Sequence, residues 1–511
     1  MEFPLSKILI TAGLLLLLRF IYRFFIRPYR LLQEFKKIKG AVCVYKPFFG
    51  VYPEYHKGFT THGDFYYFTK KILRENQDVR FLATPLMDNL TIELYDPELV
   101  KEFTAKQAKS FVKDLRLYGV MPDGIKNGLA FTDGEKWKYQ KKILSQIFHF
   151  EYMNGCIPLV NNVVDGWIKR NCKDSRSIVE VNEGFKLYTA ELSFNIFFGE
   201  DSFYTTPDAQ KAVLTALKMM DDMRHLAQSP QNLIFGHKFI NWKLGKRERE
   251  YLSDTKFVNE FLHQQLQILK KKHLKEKEQG KLEQKPWKNL IECFLEEGPK
   301  SGLSEKEFDV EMLSEIMTFF IGGIDSTSNS IAMAQYFLSL YPDIQQRLRE
   351  EINEAFAPGD KVTRDHIMNL KYLHAFFRET LRHSASLLFP RRATEDVMIG
   401  DLKVKKNFSV IVSLLGVHHN LNNFSEPEAF NPDRWLEKSE EGTNNPYGFM
   451  PFSIGPRKCI AEQLAIIEAK TMIIELVRRF KVSLKQPYEM KMSMGLVYKP
   501  HGDLNIIYEK I

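Results

Sequence analysis

The first clear pattern in the chain is an apolar run from Ile8 to Ile26, interrupted only by Thr11, Arg19, Tyr22 and Arg23. At about 19 residues it comes close to the roughly 20 that a helix needs to cross a bilayer. The two arginines sit toward one end, where long side chains can reach the headgroups. Only Lys7 precedes the run, whereas Arg27, Arg30, Lys36, Lys37 and Lys39 crowd behind it. That asymmetry predicts an anchor helix with the remainder of the chain on the cytosolic side. A cleaved signal peptide would begin with positive charge and end on small residues, and neither is present. A buried core helix is the other reading of the run.

Beyond it the pattern changes. Val79 to Thr84, Leu90 to Leu94, Val397 to Val404 and Ser409 to Leu415 read as short strands. Val310, Leu313, Met317, Phe320, Ile324 and Ile331 recur at helical spacing and predict a helix of about thirty residues closed by Pro342. A second stripe, Ile460, Leu464, Ile467, Ile474 and Val477, begins directly after Cys459. The expected class is α+β, helix-rich with small sheets, rather than a regular alternation of strand and helix. No second apolar span and no Pro/Gly/Ser linker divides the body, and the charge-mixed stretch from Lys270 to Lys285 reads as a solvated helix end and loop. The expected organisation is an anchor over residues 1–27, a linker over 28–46 and one body over 47–511.

Composition narrows the function. Of 511 residues, 44% are hydrophobic and 40 are phenylalanine, enough for a large core and against global disorder. The net charge of +8 would suit nucleic acid, but no zinc-finger, RNP or basic-zipper pattern accompanies it. Five cysteines, at 43, 156, 172, 293 and 459, form no CxxC pair and point to a reducing compartment. One thiol is then available for chemistry.

Cys459 is the candidate. It ends the segment Phe452-Ser-Ile-Gly455-Pro-Arg457-Lys-Cys459 and precedes an amphipathic helix, whose dipole would favour the thiolate. Gly455 permits a tight turn, and Arg457 supplies a fixed cation two residues from the sulfur. In the long helix lies Gly322-Gly323-Ile324-Asp325-Ser326-Thr327. Two glycines inside a helix cost about 2 kcal/mol against alanines, so a reason should exist. Close helix crossing is one. The other is a widened turn in which a hydroxyl leaves the helix ladder and a groove opens.

The pattern FxxGxRxC followed by a helix resembles the haem-ligand loop of the cytochrome P-450 family, the haem-thiolate monooxygenases. Where the family has glycine two residues after the cysteine, this chain has Ala461. Other motifs follow in the family's order over roughly residues 47 to 505. Glu379-Thr-Leu-Arg382 with Arg434 resembles the buried Glu-Arg-Arg network, and Thr91 to Phe103 resembles an early strand and helix. The glycine hexad is similar to the oxygen-activation motif, with Ser326 where threonine is usual. Trp137 and Lys141 resemble WxxxR, with lysine for arginine; a plain cation–π pair is the alternative.

The resemblance implies a mostly helical P-450 fold with small sheets behind a transmembrane helix. It implies haem b bound by Trp137, Lys141, Gly322, Gly323, Arg391 (or the adjacent Arg392), Arg457 and Cys459, with Cys459 the metal ligand and Asp325 and Ser326 catalytic. Phe319, Phe320, Leu387, Leu388, Phe389 and Leu496 would meet a lipophilic substrate. Gly322 stands where some members carry a glutamate that bonds haem covalently, so non-covalent haem is expected. No GxGxxG or P-loop is present. Electrons are therefore expected from NADPH through a separate reductase, with cytochrome b5 as a further donor, on the cytosolic face of the endoplasmic reticulum membrane. Partners would be the reductase, membrane lipid and substrate, and no nucleic acid. A reductase-independent haem-thiolate isomerase or peroxygenase is the alternative within enzymes; a non-enzymatic membrane haem-binding protein is the alternative outside them.

Overall fold

The computed structural model describes residues 5–114, 120–148, 153–199, 203, 206–227, 229, 231, 237–280, 289–297, 302–384, 390–436, 445–493 and 499–511. The chain divides into two compact units. One comprises Met1–Leu117, Leu387–Ala429 and Glu440–Arg457; the other comprises Tyr118–Ser386, Phe430–Ser439 and Lys458–Ile511.

The first unit is built on a six-stranded mixed sheet. Its order is Ala41–Cys43, Phe81–Leu86, Asn89–Leu94, Ser409–Val412, Arg391–Ala393 and Phe111–Lys113. The two central strands, Phe81–Leu86 and Asn89–Leu94, are buried almost throughout, so they read as apolar runs and not as alternating ones. On one face Leu82 joins Ile72, Leu73, Val79 and Tyr95 in a core. On the other, Phe35 meets Phe81 edge to face at 5.9 Å. Phe35 belongs to the helix Arg27–Phe35, which also buries Pro28, Leu31 and Leu32. The stretch 28–46, expected as a linker, thus holds a packed helix and the first strand of the sheet.

The second unit is mainly helical. The long helix runs Glu305–Leu340, opened by a capping box between Ser304 and Glu307 and ended at Tyr341, ahead of Pro342. It packs on the helix Val181–Phe198, where Thr189 Oγ1 donates to the Ile324 carbonyl at 2.9 Å. The helix Glu462–Arg479 crosses it as well. Three antiparallel strands, Phe480–Leu484, Asn505–Lys510 and Arg176–Glu180, complete the unit.

The expected α+β class, mostly helical with small sheets, holds. Some boundaries moved. Val397 to Val404 is a hairpin of two strands turned at Gly400, whose φ of +58° suits glycine. The strand expected to reach Leu415 stops at Val412, because the Ser413 hydroxyl accepts from Gly416 N–H and starts a short helix. Among the described residues one helix, Leu9–Phe35, is long and apolar enough to cross a membrane, and none of its apolar window is buried.

Candidate functional site

The cysteine loop is shaped by its backbone. Gly455 sits at φ +75° in a short 3-10 turn, Gly455–Arg457, and a β-carbon there would lie 3.2 Å from the Thr104 carbonyl. Glycine is therefore required twice over. Cys459 follows in irregular backbone, and the Ala461 backbone N–H hydrogen-bonds its thiol. The residue borders open space, yet protein surrounds the sulfur on its other sides. Burial pushes the thiol up to about 11, outweighing the Ala461 amide and Lys458. The expectation that the helix dipole would favour the thiolate is thus not met by the protein alone. Glu462, in the first helical turn, opposes it by its negative charge and is itself held by Lys458 at 2.5 Å. A cation at the sulfur would be needed to shift that balance.

An uncovered strip runs along the middle of the long helix. Gly322 is exposed and Phe319, Gly323, Ser326 and Ser330 are partly so, at spacings of three and four, while the positions between them are buried. The two glycines serve different purposes. A β-carbon on Gly323 would come within 3.2 Å of Ser193 Oγ on the crossing helix, whereas one on Gly322 would meet open space. Close crossing explains the former. No widened turn is formed: the helix stays α-helical through the hexad, and Ser326 Oγ donates back to the Gly322 carbonyl at 2.7 Å.

Asp325 is buried and lies on a different side of the helix from this strip. Burial pushes its pKa up, against the pull of Lys499 and Lys186. Thr327 is buried too, and its hydroxyl bonds the carboxyl of Glu468 on the helix that follows Cys459.

A model of the cytochrome P450 family matches residues 46–505. The chain belongs to the cytochrome P450 family. It is 26% identical over 423 residues to cytochrome P450 734A1 of Arabidopsis thaliana, covering 80% of this chain and 76% of that protein. It is 24% identical over 433 residues to cytochrome P450 4X1 of Homo sapiens (82% and 81%), and 26% identical over 428 residues to cytochrome P450 3A18 of Rattus norvegicus (81% and 82%). The protein is accordingly a P450 monooxygenase, a family whose haem iron is ligated by a cysteine and fed by a redox partner.

Within this P450 the second unit offers features that fit a haem. Cys459 is a thiol open on one side, and a β-carbon on Gly322 would meet open space. The Lys141 ammonium stands 5.1 Å from the Trp137 ring centre, which is the cation–π alternative drawn from the sequence. In the first unit, Arg391 and Arg392 alternate on the strand Arg391–Ala393, and Arg392 donates to Asn407 Oδ1 at 3.0 Å. Arg457, also in this unit, is half-buried in its turn. Among the residues expected to meet substrate, Phe319 is half-buried against Phe148 with ring centres 4.8 Å apart. Phe320 is 1% exposed, so it packs the core and lines no open space. Leu387, Leu388, Phe389 and Leu496 lie outside the described residues.

The Glu-Arg-Arg network of the P450 is formed as expected. Glu379 accepts from Arg382 Nε at 3.0 Å and Nη2 at 2.8 Å, from Arg434 Nε at 3.2 Å and from Trp435 Nε1 at 2.9 Å. Two buried carboxylates escaped sequence reasoning. Glu315 on the long helix takes the Leu129 backbone N–H on both oxygens, at 2.9 and 3.0 Å, and burial lifts it to about 8. Glu468 is lifted to about 8 by burial as well. The available signal was an acid among apolar neighbours in each helix.

Proposed function

We propose that this P450 is a membrane-anchored monooxygenase that inserts one oxygen atom of dioxygen into a lipophilic substrate, drawing electrons from NADPH through a separate reductase, with cytochrome b5 as a further donor. The observation that carries the reading is the pairing, within one unit, of an open-sided thiol with a helix strip left bare at Gly322 and Ser326. Cys459 is the proposed iron ligand. Haem b held there would supply the oxygen chemistry, with the electron-rich Cys459 sulfur favouring O–O cleavage.

The chain's own residues then hold and protect that chemistry. Gly322 and Gly323 keep the helix face low, Gly323 by letting the helices cross closely. Trp137 and Lys141, in the unit that holds Cys459, are proposed partners of the haem propionates, with Lys141 as the charged donor. Ser326 Oγ, bonded to the Gly322 carbonyl, is proposed to exchange that bond for a water that delivers protons. Asp325, whose pKa burial raises, is the proposed acid of the relay, one residue before Ser326. The half-buried Phe319 supports an apolar substrate. The bare apolar helix near the amino terminus supports a membrane setting, proposed as the endoplasmic reticulum with the body in the cytosol.

Cys459→Ala should abolish the thiolate-type Soret band of the reduced CO complex, whereas Cys43, Cys156, Cys172 and Cys293 should each be replaceable. An unchanged band in Cys459→Ala ends the assignment. Ser326→Ala should leave that band intact but divert NADPH into hydrogen peroxide; full coupling there removes the hydroxyl relay. Product formed without NADPH or reductase, by isomerisation or from added hydrogen peroxide, would favour the reductase-independent alternative, and no NADPH consumption with a reductase present would favour the non-enzymatic one.

A further inference from the structure

The anchor does not meet the first unit through a slack tether. Helix Leu5–Ile21 passes through a π-helical turn, Tyr22–Ile26, into helix Arg27–Phe35, and the residues at both junctions, Ile21, Ile26 and Arg27, keep right-handed helical dihedrals. A π-turn adds one residue to the helix and so rotates everything beyond it by about 100°. Before the turn the helix is bare, with Leu14 to Leu18 each more than half exposed. After it, Leu31, Leu32 and Phe35 face the sheet.

Two sets of contacts hold the turn against the first unit. The first is polar and converges on Asp88, in the tight connection between the two central strands. Arg23 Nε donates to Asp88 Oδ2 at 2.6 Å and Arg27 Nη1 to the Asp88 carbonyl at 2.5 Å. Tyr45 Oη donates to the Phe25 carbonyl at 3.0 Å. The second set is aromatic. Phe48 is stacked on Phe24 at 5.2 Å and lies edge-on to Phe25 at 5.0 Å, with Phe20 at 5.8 Å.

Phe48 reaches this position at a cost. Its φ is +68°, and its bridge partner Met87 has φ +55° with its N–H bonded to the Phe48 carbonyl at 2.9 Å. Two neighbouring non-glycine residues in the left-handed region store strain that the surrounding contacts must hold. Around the same point Phe20, Tyr22, Ile26 and Tyr29 are exposed among Arg19, Arg23 and Arg30. Aromatic rings mixed with arginines are the composition of a membrane–water boundary.

We propose that the π-turn, Asp88 and Phe48 form a rigid elbow at the bilayer surface, with the lipid headgroup layer as its partner, so that the first unit rides at one fixed tilt. This rests on the membrane reading above. In water the Arg23–Asp88 pair, with Arg23 54% exposed, would add little. In the less polar headgroup layer the same pair is stronger, so the elbow tightens where it is needed.

The test uses the full-length holoprotein on phosphatidylcholine vesicles containing some phosphatidylserine, followed by flotation and by hydrogen exchange of peptides covering residues 20–36. Wild type should float, with amides of Tyr22–Arg27 as protected as those of Leu31–Phe35. Asp88→Ala should float equally and keep its CO spectrum, while exchange at Tyr22–Arg27 rises about tenfold. Both variants keep the backbone carbonyl that Arg27 meets; Asp88→Asn also keeps a neutral side-chain oxygen for Arg23 Nε and should fall between, which covers failure of the alanine variant to fold. Floating protein whose exchange is the same in wild type and both variants overturns the elbow alone. Wild type that fails to float overturns the membrane reading, and the elbow with it.

Discussion

Glu379 and Glu468 are both carboxylates in the second unit with almost no solvent contact, at 0% and 3% exposure, yet their protons behave in opposite ways. Burial raises both. At Glu379 hydrogen bonds and charge from His383 and Arg382 overcome it and hold the carboxyl well below the usual range. At Glu468 the side-chain donor is the neutral hydroxyl of Thr327, burial wins, and the group is pushed up to about 8. Depth therefore does not set the charge of a buried acid; the presence of a cation does. The first site is an ion-paired clamp, and the second is a carboxylic acid over much of the physiological range.

The contrast is open to attack at several points. Arg382→Ala should have the largest effect, leaving Glu379 with too few cations and destabilising the fold by about 3–5 kcal/mol. Urea unfolding followed by haem absorbance measures it, and a loss under about 1 kcal/mol would mean that the clamp is not an ion pair in energetic terms.

Next is the pH dependence of Glu468. Its folded pKa is raised from 4.5 to about 8, so the folded state keeps a proton that the unfolded chain releases. Its contribution is full below pH 4.5 and is lost as pH rises toward 8. Glu468→Gln should remove that decline, seen as a flatter plot of unfolding midpoint against pH. Parallel plots for variant and wild type would sink the assignment.

Thr327→Val should cost about 1 kcal/mol by stripping Glu468 of its donor, and should carry the decline of the same plot to higher pH. Loss of stability without that extension would reduce Thr327 to a packing residue. Smallest of all, Lys141→Ala removes a half-exposed cation–π pair and should cost about 0.5 kcal/mol in the haem-free protein. A clearly larger loss on the holoprotein would support a propionate contact for Lys141.

Much of this was legible in the chain. The spacing of Glu379 and Arg382 puts them on one helix face whatever else the protein does, because i and i+3 are neighbours on any α-helix. The apolar run at Ile8 to Ile26, the long helix before Pro342 and the turn at Gly455 are likewise local properties of propensity, periodicity and steric freedom. Family membership rests on such local strings kept in order.

What the chain could not disclose is which distant groups meet. Gly322 and Gly323 are identical and adjacent, and only the crossing of Val181–Phe198 makes one a contact and leaves the other bare. The dipole argument for Cys459 was sound locally, but desolvation by surrounding protein is a sum over elements far apart in sequence, and it prevailed. The supposed linker became a helix because Leu31, Leu32 and Phe35 had a sheet to pack on. Short-range geometry is fixed by bond angles and is written in the sequence; burial and charge pairing depend on long-range packing, which only the folded molecule decides.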